Sequence, residues 1–225
     1  MIHAALADLT WRQVETCGAS ATCLVPVGST EQHGPHLPLS TDTDIAVALA
    51  ELVARRLPSA VVAPAVSFGA SGEHEKFAGT ISVGHDALEQ LLVELGRSAS
   101  ASFARIVLVS THGGNAESVD RAAARLSGEG RDVLVWSPRW SADAHAGRAE
   151  TSIMLTLCPE RVDLAAAEAG NVAPLAALMP VLRARGVRAV SPNGVLGDPA
   201  GASADEGRRL LECAVADFVA GMPTV

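Results

Sequence analysis

Tyrosine is absent, and aromatic residues make up only 3% of the 225 positions. A chain so poor in rings offers few platforms on which single-stranded nucleic acid could stack. Lysine occurs once, at Lys76, so the positive charge is almost all arginine; 17 basic residues against 25 acidic ones leave a net charge of −8. No basic stripe interrupts that balance, which argues against a general nucleic-acid binder and against a protein held on anionic lipid. None of the four cysteines, Cys17, Cys23, Cys158 and Cys213, forms a CxxC pair. They read as small buried hydrophobes of a reducing compartment. No apolar run reaches the roughly 18 residues that a membrane helix needs. The stretch Met1–Trp11 has neither a basic n-region nor a long apolar run, so neither a signal nor a transit peptide is expected, and the expected location is the cytoplasm. A GxSxG nucleophile elbow is missing. Gly113-Gly114-Asn115 lacks the further glycines and the Lys-Ser/Thr pair of a phosphate-binding loop.

What remains is ordinary globular material: 48% hydrophobic and 19% charged residues, in a length suited to one domain over residues 1–225. Four short apolar runs, Thr22–Val27, Ala60–Ala65, Arg105–Ser110 and Asp132–Trp136, lack the alternation of a half-exposed strand and read as buried parallel strands. Helical periodicities lie between them. Ile45, Leu49 and Val53 recur at four-residue steps, and Leu88, Leu91, Leu92 and Leu95 form a stripe. Asn115–Leu126 is rich in alanine with charges to one side. Further helices are expected at Glu150–Leu157, Val172–Arg185 and Ser203–Val219, the last with Ser203 as N-cap and with Leu210, Leu211, Val215 and Phe218 facing the core. This alternation predicts an α/β fold with a parallel sheet covered by helices.

Polar residues gather just after the predicted strands, where open parallel sheets place their sites. Glu31 and His33 are separated by one residue, so in an extended segment they point the same way. The glycines and prolines between His33 and Leu39 let the chain turn back, which brings Asp42 within reach; taken alone, Asp42 would read as a helix N-cap. His112 follows an apolar strand and precedes two glycines, a setting for close approach of backbone or ligand. Two carboxylates and two imidazoles on strand-end loops make a mixed O/N donor set suited to zinc, manganese or iron(II). Such a set differs from the cysteine-rich closed sites of structural zinc.

At these residues the sequence resembles the creatininase family of metal-dependent amidohydrolases. The matching pieces are Pro26–Gly34, Leu37–Asp42, Phe77–Ser82, His112–Asn115, His145–Gly147 and Glu150–Ser152, in the family's order. The resemblance implies a single-domain three-layer sandwich around a mostly parallel central sheet, and a ring-like or hexameric homo-oligomer. It implies two divalent ions per subunit, with metal ligands at Glu31, His33, Asp42 and His112 and with Asp42 bridging. Creatinine-hydrolysing members carry a further ligand glutamate at the position of Gly114. Glu150 is therefore expected to complete the second ion's shell. Within the family, Ser67–His74, Asn171–Pro180 and Gly194–Pro199 are most similar to a peptidase that acts on a ribosomally made, modified precursor peptide and releases its modified Val-Tyr core.

The expected function is therefore metal-dependent hydrolysis of an amide bond in such a peptide. His145 is the candidate proton shuttle, lying just before a helix whose first turns hold Glu150. Ser71, His74, Trp140 and His36 are candidates for lining the substrate pocket; Glu75 and Lys76 read as a solvated loop. Two other readings compete. One is a small-molecule cyclic-amide or formamide hydrolase of the same family, which needs a closed pocket where a peptide needs an open groove. The other is a non-catalytic metal-binding assembly protein, which the presence of Glu31, His33, Asp42, His112 and Glu150 disfavours.

Overall fold

A computed structural model describes residues 3–140 and 143–222. Five strands form one parallel sheet: β1 (His3–Ala5), β2 (Thr22–Val27), β3 (Ala60–Val62), β4 (Arg105–Ser110) and β5 (Val133–Trp136), in the order β1-β3-β2-β4-β5. The central pair runs in register from Thr22 opposite Arg105 to Val27 opposite Ser110. β2 and β4 are buried along their whole length. That explains their near-continuous aliphatic composition, because helices cover both faces.

Seven helices complete the described chain: α1 (Trp11–Cys17), α2 (Thr41–Ala54), α3 (His85–Ala99), α4 (Ala116–Gly128), α5 (Arg148–Leu157), α6 (Leu175–Arg185) and α7 (Ala204–Gly221). Alternate strand residues feed two separate cores. Leu24, Val62, Val107 and Val109 pack with Ile45, Leu49, Ile153, Met154, Leu211 and Val215 of α2, α5 and α7. Cys23, Val25, Val61, Ile106 and Leu108 point the other way, onto Leu88, Leu92, Val119 and Leu126 of α3 and α4. The result is the expected three-layer α/β sandwich. Outside it, α6 packs through Leu178 and Leu182 on Val187 and Leu196.

The expected boundaries for β2 and β4 hold. The run from Ala60 pairs only as far as Val62; Pro64 has no N–H to continue the ladder, and Val66 returns as a single bridge to Val27. β1 went unread because three residues carry no period. α6 begins at Leu175 rather than Val172, behind Pro174. The leucine stripe of α3 is half buried: Leu88 and Leu92 face the core with Val93 and Gly96, whereas Leu91 and Leu95 are exposed. In α7, Ser203 caps Glu206 N–H as expected, and Leu211 and Val215 are buried. Leu210 and Phe218 are only partly so.

The chain adds β3 on one side of β2 and then β4 on the other. The switch point therefore lies between β2 and β4, and the crevice beyond their carboxyl ends is where this topology builds a site.

Candidate metal centre

Two segments leaving β2 and β4 supply the floor of that crevice. After β2 the chain runs through Thr30 bridged to Ile81, then folds back so that His33 pairs with Leu37 and Glu31 N–H donates to Leu39 O at 3.0 Å. Glu31 and His33 are both fully buried and converge, as their spacing predicts. The turn-back delivers Asp42 to the same point, in the first turn of α2 rather than in a loop. The helix's N-cap position is Ser40, so Asp42 does not serve as the cap. Instead Ser29 Oγ donates to Asp42 Oδ2 at 2.6 Å, which fixes the carboxylate. Its Oδ1 lies 3.4 Å from His33 Nε2 and its Oδ2 3.4 Å from His112 Nδ1. One oxygen for each imidazole is the arrangement of a bridging carboxylate.

Glu150 arrives from the opposite side, in the first turn of α5, where its Oε2 accepts the Ala146 N–H at 2.6 Å and lies 3.9 Å from His33 Nε2. Ala146 takes the left-handed backbone to make that turn, with φ of 53°. Among the described residues three groups of donor atoms, each within 4.8 Å of one another, result: Glu31, Asp42 and His112; His33, Asp42 and Glu150; Glu31, His33 and His145.

Both oxygens of Glu31 and the Nε2 of His33 are buried without an aligned hydrogen bond. His112 Nε2 lies 3.1 Å from Glu31 Oε2, but as a charge contact; its hydrogen-bond partners are Ala70 O and Ser71 Oγ. Buried polar atoms left unpaired and aimed at one another are what a bound cation would satisfy. Hard carboxylate oxygens mixed with imidazole suit zinc, manganese or iron. The residues present therefore fit a pair of divalent ions.

The electrostatics point the same way. Burial would raise the Glu31 carboxyl, but the imidazoles of His112, His74 and His145 outweigh it and hold the group well below the usual carboxylate range. Burial would lower His33, yet Asp42, Glu150 and Glu31 push it up to about 9. His112, against the same burial, is pushed up to about 10 by Glu31, Asp42 and Glu73. Burial lifts Glu150 to about 7.

Beneath this cluster lies a network that the sequence reading missed. Gln32 alternates with Glu31 and His33 and so points away from them. Its Oε1 accepts the Gly34 N–H at 2.9 Å, and its Nε2 lies 2.8 Å from His74 Nδ1 and 3.1 Å from Gly194 O. His145 Nε2 donates to the Gln32 carbonyl at 2.8 Å. Gln32 Nε2 also lies 3.0 Å from His145 Nε2; because a carbonyl only accepts, we assign the proton of His145 to Nε2 and that of His74 to Nε2, opposite the Nδ1 that faces Gln32. His145 keeps a bare Nδ1, 3.8 Å from Glu31 Oε1, and His74 presents Nε2–H to the same oxygen at 3.4 Å. Burial then pushes His74 down to about 4 and holds His145 well below its ordinary value.

A cavity of about 850 Å³ reaches the cluster at His112 and His145. Its lining includes Glu73, His74, His112 and His145, with Leu175, Met179 and Leu182 of α6 forming an apolar wall. Of the pocket candidates, His74 lies in this lining and also holds Glu31. Ser71 is buried against His112, and His36 is buried with its Nε2 on Thr151 Oγ1 at 2.9 Å. Trp140 packs on the core that also receives Trp136. Ser71, His36 and Trp140 are not among the described residues that line the cavity. Glu75 and Lys76 are exposed at its rim.

The family model described as creatinine amidohydrolase matches residues 7–222. A protein named mycofactocin precursor peptide peptidase, from Mycolicibacterium smegmatis, is 56% identical over 195 residues, covering 84% of this chain and 78% of its own. The creatinine amidohydrolase of Pseudomonas putida is 31% identical over 194 residues, covering 70% of this chain and 73% of its own. Among solved structures, a manganese creatininase superposes with a TM-score of 0.77 at 27% identity, covering 97% of this chain and 98% of that one. On the length of the model match and the closeness of these relatives, the chain belongs to the creatininase family.

Proposed function

We propose that the chain is a metal-dependent peptidase that cuts an amide bond near the C-terminus of the modified mycofactocin precursor peptide, releasing its modified Val-Tyr core. The carrying observation is the donor cluster, which reaches an 850 Å³ cavity through His112 and His145, the rim of that cavity being exposed at Glu75, Lys76, Arg183 and Arg185. That opening leaves room for a chain. Identity of 56% to a peptidase of that name, against 31% to a creatinine amidohydrolase, supports the substrate.

In this reading Glu31, Asp42 and His112 hold one ion and His33, Asp42 and Glu150 the other, with zinc, iron(II) or manganese as occupants. Bound divalent ions would supply Lewis acidity toward an amide carbonyl and would bring the pKa of water to roughly 7. Ser29 holds Asp42 in its bridging pose. The Gln32 carbonyl keeps the His145 Nδ1 free to carry a proton from water to the leaving amine. The Leu175–Leu182 face of α6 takes apolar substrate side chains and excludes water. The protein works as a homo-oligomer, ring-like or hexameric, for which exposed Phe68, Ile81 and Val83 supply apolar surface. No helix among the described residues is long and apolar enough to cross a membrane, and the cytoplasm is the proposed location.

The test is to incubate the metal-loaded protein with the modified precursor peptide and follow products by mass spectrometry. Release of a C-terminal dipeptide-derived fragment, abolished by chelator and by Glu31→Ala, is the expected result. Absence of cleavage with metal demonstrably bound would favour a small cyclic amide or formamide as substrate.

A further inference from the structure

Glu73 is held in place from two directions by glycines distant in sequence. It lies in the 3-10 turn Gly72–His74, which is pinned by Ser71 N–H on Ser82 Oγ at 2.9 Å and by Ala70 N–H on Asn115 Oδ1 at 2.8 Å. Its carboxylate rests over Gly114, where an added Cβ would collide with Glu73 Oε1 and with His112 Nε2. Its carbonyl rests over Gly186, where an added Cβ would come within 2.6 Å. Gly186 also has a left-handed backbone, with φ of 75°. The carboxylate is seated 3.6 Å from His112 Nε2 with its side chain 31% exposed, and that exposed part faces the cavity.

Among the described residues, two other carboxylates line the cavity. Glu117 is engaged by Arg121 at 3.3 Å, and Glu75 lies out on the exposed rim. Glu73 is thus the cavity-lining carboxylate beside the floor. An amide drawn down to that floor buries its N–H, and a buried donor needs an acceptor. We propose that Glu73 is a substrate-contacting residue whose carboxylate accepts the N–H of the scissile amide, orienting its nitrogen for departure; this rests on the peptidase reading above.

The experiment compares two modified precursor peptides, one ordinary and one methylated on the scissile nitrogen, with metal-loaded parent, Glu73→Ala and Glu73→Gln. The parent should favour the N–H peptide. Glu73→Ala should lose about 10–100-fold in kcat/KM on that peptide, hardly change on the methylated one, and keep the parent's metal content. Glu73→Gln, near in shape and still carrying an acceptor oxygen, should fall between. A parent that cleaves both peptides equally would overturn the proposal. So would an unchanged preference in both variants, or loss of metal from Glu73→Ala, which would assign the carboxylate to an ion instead. A loaded parent that cleaves neither peptide would overturn the peptidase reading itself, and this inference with it.

Discussion

The two helical layers that flank the sheet are held by different forces. The α3–α4 layer rests on apolar side chains: Leu88, Leu92, Val119 and Leu126 are buried against the strands. Its outer face carries partly exposed pairs such as Arg97 with Glu129 and Arg121 with Glu89, and surface pairs contribute little. The α2–α5–α7 layer also has an apolar core, but its upper end carries Asp42 and Glu150 on the first turns of α2 and α5. There α5 and α7 close through polar and backbone contacts: Gly207 lies against the Ser152 carbonyl, and Ser152 Oγ accepts the Ser203 N–H at 3.1 Å. One layer is a scaffold that tolerates sliding side chains. The other fixes backbone positions, and it brings candidate donors on two of its helices, Asp42 and Glu150, to one group with His33.

Breaking the site layer at its centre should have the largest effect. Asp42→Ala removes the carboxylate that two of the three donor groups share. Activity and metal content should fall further than the roughly 10–100-fold that loss of an outer partner of a metal ligand costs. Far-UV circular dichroism should stay at the parent's level, because the residue's polar contacts serve the site. Full activity in this variant would sink the bridging role.

The site that this layer closes, with His33 after β2 and His112 after β4, should show a pH signature that the apolar scaffold lacks. A cation must displace the protons that carboxylates hold on His33 and His112, pushed up to about 9 and about 10. Metal affinity should therefore rise with pH, by about tenfold per unit for each imidazole below its pKa. Calorimetric titration of a divalent ion between pH 6 and pH 8 checks this; affinity flat over that range would show that no proton leaves.

In the scaffold layer, Leu92→Ala empties a fully buried site. It should cost about 2–5 kcal/mol by denaturant unfolding, with metal content per folded molecule unchanged. Loss of metal there would mean that the layers are coupled and the contrast between them is wrong.

Legibility in the sequence follows the same division. Periodic apolar patterns revealed both layers and the boundaries of β2 and β4, because burial on two faces leaves an aliphatic run that needs no partner to be recognised. The i, i+2 spacing of Glu31 and His33 was equally local. Gln32 escaped notice because alternation turns it away from those two, and its partners His74, His145 and Gly194 are far along the chain. Glu73 escaped notice because its seat depends on Gly114 and Gly186. Trp140 read as a pocket wall from its proximity to His145, but packing against the core decides where its ring goes. Local chemistry was readable, and the family resemblance joined His112 and Glu150 to it; the distant packing contacts of Gln32, Glu73 and Trp140 were not readable.

A pair of glycines gives the finest test of the contrast. Gly207 in α7 would press an added Cβ into the Ser152 carbonyl, whose backbone is fixed by α5. Gly207→Ala should therefore destabilise by about 1–3 kcal/mol. Gly96 in α3 looks just as tight, since an added Cβ would strike a Leu126 methyl. The obstacle there is the tip of a flexible side chain. The cost of rotating it is opposed by the better helix propensity of alanine, about 1 kcal/mol in a helix interior. Gly96→Ala should consequently fall within about 1 kcal/mol of the parent, with either sign permitted by that balance. Equal losses at the two positions, measured as shifts in the denaturation midpoint at constant slope, would mean that the scaffold layer is as rigid as the one that carries the site.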